Sequence, residues 1–184
     1  MQTLQSILCK IANILDRENI PYMVIGGQAV MIYGEPRMTK DIDITLDRDI
    51  DSLPLIKKLA DELELKPLIK DVDQFVQRNN VLPVSDSKGM VRVDFIFSFM
   101  PYEHEAIRRA NKIDITGTRV SYACIEDVII HKIVAGRPRD IEDVKGILNR
   151  NTVIDKKLVV QCLDAFSGTV GHDLTAIFKE INKN

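Results

Sequence analysis

At 184 residues, 45% apolar and 28% charged, the chain can form one globular domain with a small appendage and is too hydrophobic to be a disordered tail. Its 25 Lys and Arg against 27 Asp and Glu give a net charge of −2, which argues against a dedicated nucleic-acid coat but leaves room for a local basic patch. Three scattered cysteines (Cys9, Cys124, Cys162) without a Cys-x-x-Cys suit a reducing cytosol, the first residues read as no leader, and no apolar run approaches the ~18 residues of a membrane span, so a cytoplasmic protein with no membrane partner is expected.

The first predicted element is a helix from Thr3 to Glu18. Leu4, Ile7, Leu8, Ile11, Ile14 and Leu15 form one apolar stripe, and Thr3 is placed to cap it. Tyr22 to Ile25 is a short apolar run ending in Gly26-Gly27, and Gln28 to Tyr33 restarts helically. The local order is therefore strand, double glycine, helix. After the breaker Gly34-Glu35-Pro36, Asp41 to Leu46 alternates strictly, as a strand does. A helix is predicted over Ser52 to Glu64 with Ser52 as cap, and a short one over Asp71 to Arg78. The β-branched and aromatic run Met90 to Phe99 reads as a strand, Pro101 to Ala110 as a helix, and Lys112 to Tyr122 as a hairpin around Gly117. From Ile125 onward the character is helical, in segments 125–134, 138–149, 155–166 and 173–182. The expected organisation is a mixed α/β core over residues 1–123 and a helical region over residues 124–184 packed on it.

The segment richest in chemistry is Asp41-Ile42-Asp43-Ile44. Residues i and i+2 of a strand share a face, so Asp41 and Asp43 point one way and the isoleucines point into the core. Two carboxylates about 6–7 Å apart repel by roughly 2.5 kcal/mol at an effective dielectric of ~20. A cation between them would relieve this, and two hard oxygen donors suit Mg²⁺. An edge strand with a solvated acidic face accounts for the same pattern, and Asp47, Asp49 and Asp51 follow close behind. Gly26-Gly27 at a helix N-terminus offers bare N–H groups to a phosphate, or is merely a tight turn that needs positive φ. Asp94, mid-strand among apolar residues, needs a partner: either Arg92, Arg37 or a helix terminus, or a metal ion shared with Asp41 and Asp43.

The string Gly26-Gly27-Gln28-Ala29-x-x-x-x-Gly34-x-x-Arg37-x-Thr39-x-Asp41-x-Asp43, with Asp94 on a later strand, resembles the signature of the nucleotidyltransferase superfamily, the DNA polymerase β-like fold. Glu126-Asp127-x-x-x-x-Lys132-x-x-x-Gly136-Arg137-x-Arg139-Asp140-x-x-Asp143 is similar to the paired helices of its AbiEii-like bacterial branch. The resemblance implies an α+β fold, a small mixed β-sheet flanked by helices and followed by a short C-terminal helical region. It implies transfer of NMP from an NTP to an acceptor hydroxyl, with pyrophosphate released and Mg²⁺ or Mn²⁺ as cofactor. Asp41, Asp43 and Asp94 would be catalytic metal ligands, and Gly26 and Gly27 would cradle the triphosphate with Arg37 and Thr39 nearby. Lys132 would meet the triphosphate or the leaving pyrophosphate, and Asp140 would be catalytic or orient the nucleotide. The branch further implies a toxin acting on tRNA or protein, with a cognate antitoxin as partner.

Read from the residues alone, Lys132 lies off the apolar stripe of its helix, as a solvated lysine would. Asp140, in a first helical turn, favours the helix dipole, and Arg137 and Arg139 either neutralise phosphates or pair with Asp140 and Asp143. No His-Glu-x-x-His, zinc spacing or G-x-S-x-G is present. A non-catalytic nucleotide- or partner-binding module of the same fold, and a small-molecule nucleotidyltransferase of the antibiotic-modifying kind, are the alternatives.

Overall fold

The computed structural model describes residues 3–182. The chain divides into two compact units. One takes the residues up to Gln28 together with Met38–Ala123, and the other takes Ala29–Arg37 together with the chain from Cys124 on.

The first unit carries one seven-stranded mixed sheet. Its strands are β1 (Tyr22–Ile25), β2 (Asp41–Leu46), β3 (Lys66–Pro67), β4 (Val81–Ser85), β5 (Arg92–Phe97), β6 (Asn111–Ile115) and β7 (Thr118–Tyr122), in the order β3-β4-β5-β2-β1-β7-β6. β2 runs parallel to β5 and β1 parallel to β7, while the other neighbours are antiparallel. The alternation seen in the sequence of β2 recurs in β5. Ile42, Ile44 and Leu46 and, beside them, Val93, Phe95 and Phe97 are all buried, whereas Asp41 and Arg92 at the strand starts are exposed. One face of each strand therefore anchors the core and the other presents its polar residues.

Helix α1 (Leu4–Arg17) buries Ile7, Leu8, Ile11, Ile14 and Leu15, the stripe expected of it, and packs against β7. Thr3 caps it, accepting from the Ser6 N–H. Helix α2 (Gly26–Tyr33) begins at the two glycines themselves, two residues before the expected start, and the chain passes from the first unit into the second within it. Helix α3 (Leu53–Glu62) is not capped by the Ser52 side chain. A 3-10 turn, Ile50–Ser52, leads into it, and Asp49 caps that turn by accepting from the Asp51 N–H. Helices α4 (Val72–Asn79) and α5 (Pro101–Arg108) match the sequence reading to within two residues. Strand β4 was not expected, because Pro83 interrupts its apolar run and proline argues against an interior strand. Only the two residues of β3 lie beyond it, so β4 is nearly an edge.

The second unit gathers α6 (Ile125–Ala135), α7 (Pro138–Arg150), α8 (Lys156–Val170) and α9 (Leu174–Ile181). Val128, Ile129, Ile133, Val144, Ile147, Val159, Leu163 and Phe178 are among its buried apolar side chains. Gly136 and Gly171 end α6 and α8 in left-handed conformations, and Asp155 and Asp173 cap α8 and α9. The segment Ala29–Arg37 belongs with these helices rather than with the sheet. Gly34 lies so close to α7 that a Cβ there would sit 3.0 Å from Ile147 Cγ1. The orphan carbonyls ending α2 are met by α7: Arg150 donates to Gly34 O at 2.6 Å and Asn151 to Tyr33 O at 2.7 Å. Among the described residues no helix is long and apolar enough to cross a membrane.

Candidate active site

The parallel pairing of β2 with β5 sets Asp41 beside Arg92 and Asp43 beside Asp94. Registered neighbours in a parallel pair share a face, and so do residues two apart along a strand. The three carboxylates and one guanidinium therefore form a two-by-two grid on one face of the sheet. Arg92 grips Asp94 with a bidentate fork, Nε to Oδ1 and Nη2 to Oδ2, both 2.9 Å. Asp94 first, with Asp41 and Asp43 adding to it, holds the guanidinium charged more firmly than usual, against the opposing cost of its partial burial. Thr39 closes a local turn with Asp41, exchanging hydrogen bonds of 3.4 Å with its backbone. Gln28, almost fully buried, donates to Asp41 O at 3.5 Å.

The glycine turn comes onto the same grid. Gly26 has φ +63°, a conformation that disfavours any side chain, and an ideal Cβ on it would lie 1.9 Å from Asp43 Oδ2. The turn thus requires glycine twice over, for its backbone conformation and for the close approach of the Asp43 carboxylate. In this arrangement Gly26 and Asp43 are in contact, where the sequence offered only a spacing.

A divalent cation suits the chemistry of this face. Three hard carboxylates stand together on it, and next along β2 the Thr45 hydroxyl is buried without a hydrogen-bond partner. Among the described residues no three His, Cys, Asp or Glu side chains are drawn tightly enough together to hold an ion. Both Asp94 oxygens are instead taken by Arg92.

The other expected site residues lie in the second unit, in a separate network of charges. Lys132 is buried, 6% exposed, with Nζ 2.6 Å from Asp140 Oδ1 and 2.9 Å from Asp143 Oδ2. Arg137 adds a second cation on Asp140, and Arg37 Nε and Nη2 each lie 3.2 Å from an Asp143 oxygen. Burial works against ionisation of Asp140, but Arg137 and Lys132 outweigh it and hold the carboxyl below the usual range. Glu126 accepts from the Asp155 N–H at the start of α8, and the Cys124 thiol donates to Asp127.

The family model described as "Nucleotidyltransferase of unknown function (DUF6036)" matches residues 2–167. The chain belongs to this family and is a nucleotidyltransferase. Solved structures with the same fold include the antibiotic-resistance factor ANT(2″)-Ia in solution, 17% identical over 93% of this chain and 95% of that one, TM-score 0.62. Another structure of ANT(2″)-Ia holds adenylyl-2″-tobramycin. An antigenic nucleotidyltransferase-like protein from Paracoccidioides brasiliensis is 16% identical over 96% and 92% of the two chains, TM-score 0.59. The lincosamide antibiotic adenylyltransferase LnuA, lincomycin-bound, is 12% identical over 82% and 100%, TM-score 0.58. No curated protein matches the sequence.

In this nucleotidyltransferase the expected site residues therefore fall into two groups. Asp41, Asp43, Asp94, Gly26, Gly27 and Thr39 belong to the first unit, and Lys132, Asp140 and Arg37 to the second. Lys132 is no solvated lysine, since two carboxylates bury it. Of the options open for Asp94, the structure shows the pair with Arg92, on the face that Asp41 and Asp43 share. The Arg37–Asp143 pair was not anticipated, because its members are 106 residues apart and nothing local signals it. The Arg92–Asp94 pair carried a signal, the same i, i+2 strand spacing that joins Asp41 to Asp43.

Proposed function

We propose that this nucleotidyltransferase uses a divalent metal to move NMP from an NTP onto a hydroxyl of a small molecule, releasing pyrophosphate. One observation carries the reading: Asp43 and Asp94 stand in register on the face that Asp41 shares, with the Gly26 backbone against Asp43. Asp41, Asp43 and Asp94 are the residues to hold Mg²⁺ or Mn²⁺, which when bound stabilises charge on the attacking and leaving oxygens. The turn at Gly26-Gly27 orients the phosphates with its backbone N–H groups at the start of α2, and Thr39 keeps the Asp41 backbone in place. The acceptor oxygen bonds to the α-phosphorus, the bond from that phosphorus to its β-bridging oxygen breaks, and Asp94 accepts the hydroxyl proton. Lys132, Asp140 and Arg37 act by holding the helices and the 29–37 segment in place, since their charges are met within their own unit. NTP as substrate is in keeping with the cytoplasm expected from the sequence.

The small-molecule acceptor is favoured by the structures that share the fold. LnuA and ANT(2″)-Ia, whose names and bound molecules are those of antibiotic modification, are matched over 100% and 95% of their length. Transfer to tRNA or protein by an AbiEii-like toxin, with an antitoxin partner, is supported by the motif on α6 and α7. The test is incubation with each α-labelled NTP and Mg²⁺ alongside a panel of hydroxyl-rich small molecules, total RNA and cell protein. Label on a small molecule, with stoichiometric pyrophosphate, is the expected result. Label on RNA or protein would replace it with the toxin reading. Binding of NTP without transfer to any acceptor would leave a non-catalytic nucleotide-binding module.

A further inference from the structure

Arg92 stands where a cation's charge is needed. It faces Asp41 across the strand pair, lies two residues from Asp94 on the same face, and closes both Asp94 oxygens with its fork. A guanidinium fork occupies the inward-facing lone pair on each of the two carboxylate oxygens, the pair an ion would chelate, and like charges exclude one another from the same oxygens. The two partners also differ in freedom. The Arg92 side chain is 51% exposed, whereas that of Asp94 is 17% exposed and fixed on an interior strand. Arg92, already half-exposed, can leave by rotating its own stem toward solvent. Lys132, the corresponding cation of the second unit, is 6% exposed and has no such exit.

On the reading of the face as the metal site, we propose that Arg92 is a resident counter-cation. It neutralises the carboxylates while no metal is bound and competes directly with the divalent ion for Asp94. Arg92 is thus a positioning residue that sets how tightly the ion is held, and keeps three acidic side chains from splaying in its absence.

The test is a Mn²⁺ titration of the full chain, without nucleotide, following free Mn²⁺ by electron paramagnetic resonance in wild type, Arg92→Gln and Arg92→Lys. Arg92→Gln is expected to bind Mn²⁺ about tenfold tighter, equivalent to ~1.4 kcal/mol. Arg92→Lys, which keeps the charge but loses the fork, should fall between the two. The metal-free melting temperature of Arg92→Gln should drop, and Mn²⁺ should raise it further than it raises that of wild type, a difference that a purely structural ion pair would not show. Unchanged or weaker Mn²⁺ binding in both variants overturns the inference, and if Arg92→Gln does not fold, Arg92→Lys alone decides. Wild type that transfers nucleotide while the variants show no gain in Mn²⁺ affinity defeats only the counter-cation. A gain in Mn²⁺ affinity in a protein that transfers nothing leaves the counter-cation standing and removes the transferase reading.

Discussion

Asp43 has two neighbours that constrain it in opposite ways: the Gly26 backbone pressed against its carboxylate and Asp94 registered beside it. Gly26→Ala must place a methyl within 1.9 Å of Asp43 Oδ2 and put alanine at φ +63°. The backbone term alone costs about 1–2 kcal/mol, and displacement of Asp43 adds to it. We expect the variant to lose roughly 2–3 kcal/mol in urea unfolding and to lose nucleotide transfer. Asp43→Ala removes one charge from an acidic face, so its metal-free stability should stay level or rise while transfer is abolished. The two changes are not independent. In the Asp43→Ala background the carboxylate that the new methyl meets is gone and only the Cβ at 3.2 Å is left, so the cost of Gly26→Ala should shrink toward its backbone term. A double-mutant cycle that found simple additivity would contradict the contact.

Strand β2 and helices α6 and α7 show what a sequence discloses at the scale of elements. Strict alternation from Asp41 to Leu46 gave both the strand and the face of its carboxylates, because period two is a property of the backbone. The helices after Ile125 were legible from their stripes and from Gly136, which ends α6 at positive φ. The partners of Lys132 were not, because its place off the stripe describes equally a solvated lysine and one buried beneath two carboxylates of the next helix. Lys132→Met should therefore cost about 3 kcal/mol or more in urea unfolding, since it leaves Asp140 and Asp143 buried with fewer cations. The same network gives a pH dependence of known sign. Asp140 titrates lower in the folded chain than in the unfolded one, so its stabilisation is complete above the unfolded value of about 4 and disappears as pH falls through the folded value. Stability measured from pH 5 downward should fall less steeply in Asp140→Asn than in wild type.

At the scale of the whole molecule, the order of the expected elements gave a mixed α/β half followed by helices, and the chain passes between the compact units at residues 28–29, 37–38 and 123–124. What composition did not reveal is that Ala29–Arg37 belongs with the helices. Its ties, Gly34 against Ile147 and Arg37 on Asp143, join residues more than a hundred positions apart, and no local pattern encodes them. The division has a measurable consequence, because a ligand stabilises only what unfolds together with its site. The grid of Asp41, Asp43 and Asp94 lies wholly in the first unit. At a hundred times its dissociation constant, metal-bound NTP adds ~2.7 kcal/mol to the folded state. For a chain of this length that raises the melting temperature by roughly 5–11 °C. If the units unfold as one, a single calorimetric transition should move by that amount. If they unfold separately, only the transition of the sheet-bearing unit should move, and the Lys132→Met variant identifies the other by lowering it selectively. In Asp43→Ala neither transition should respond to nucleotide. A full shift in that variant would show that the triphosphate is held somewhere other than the acidic face of β2 and β5.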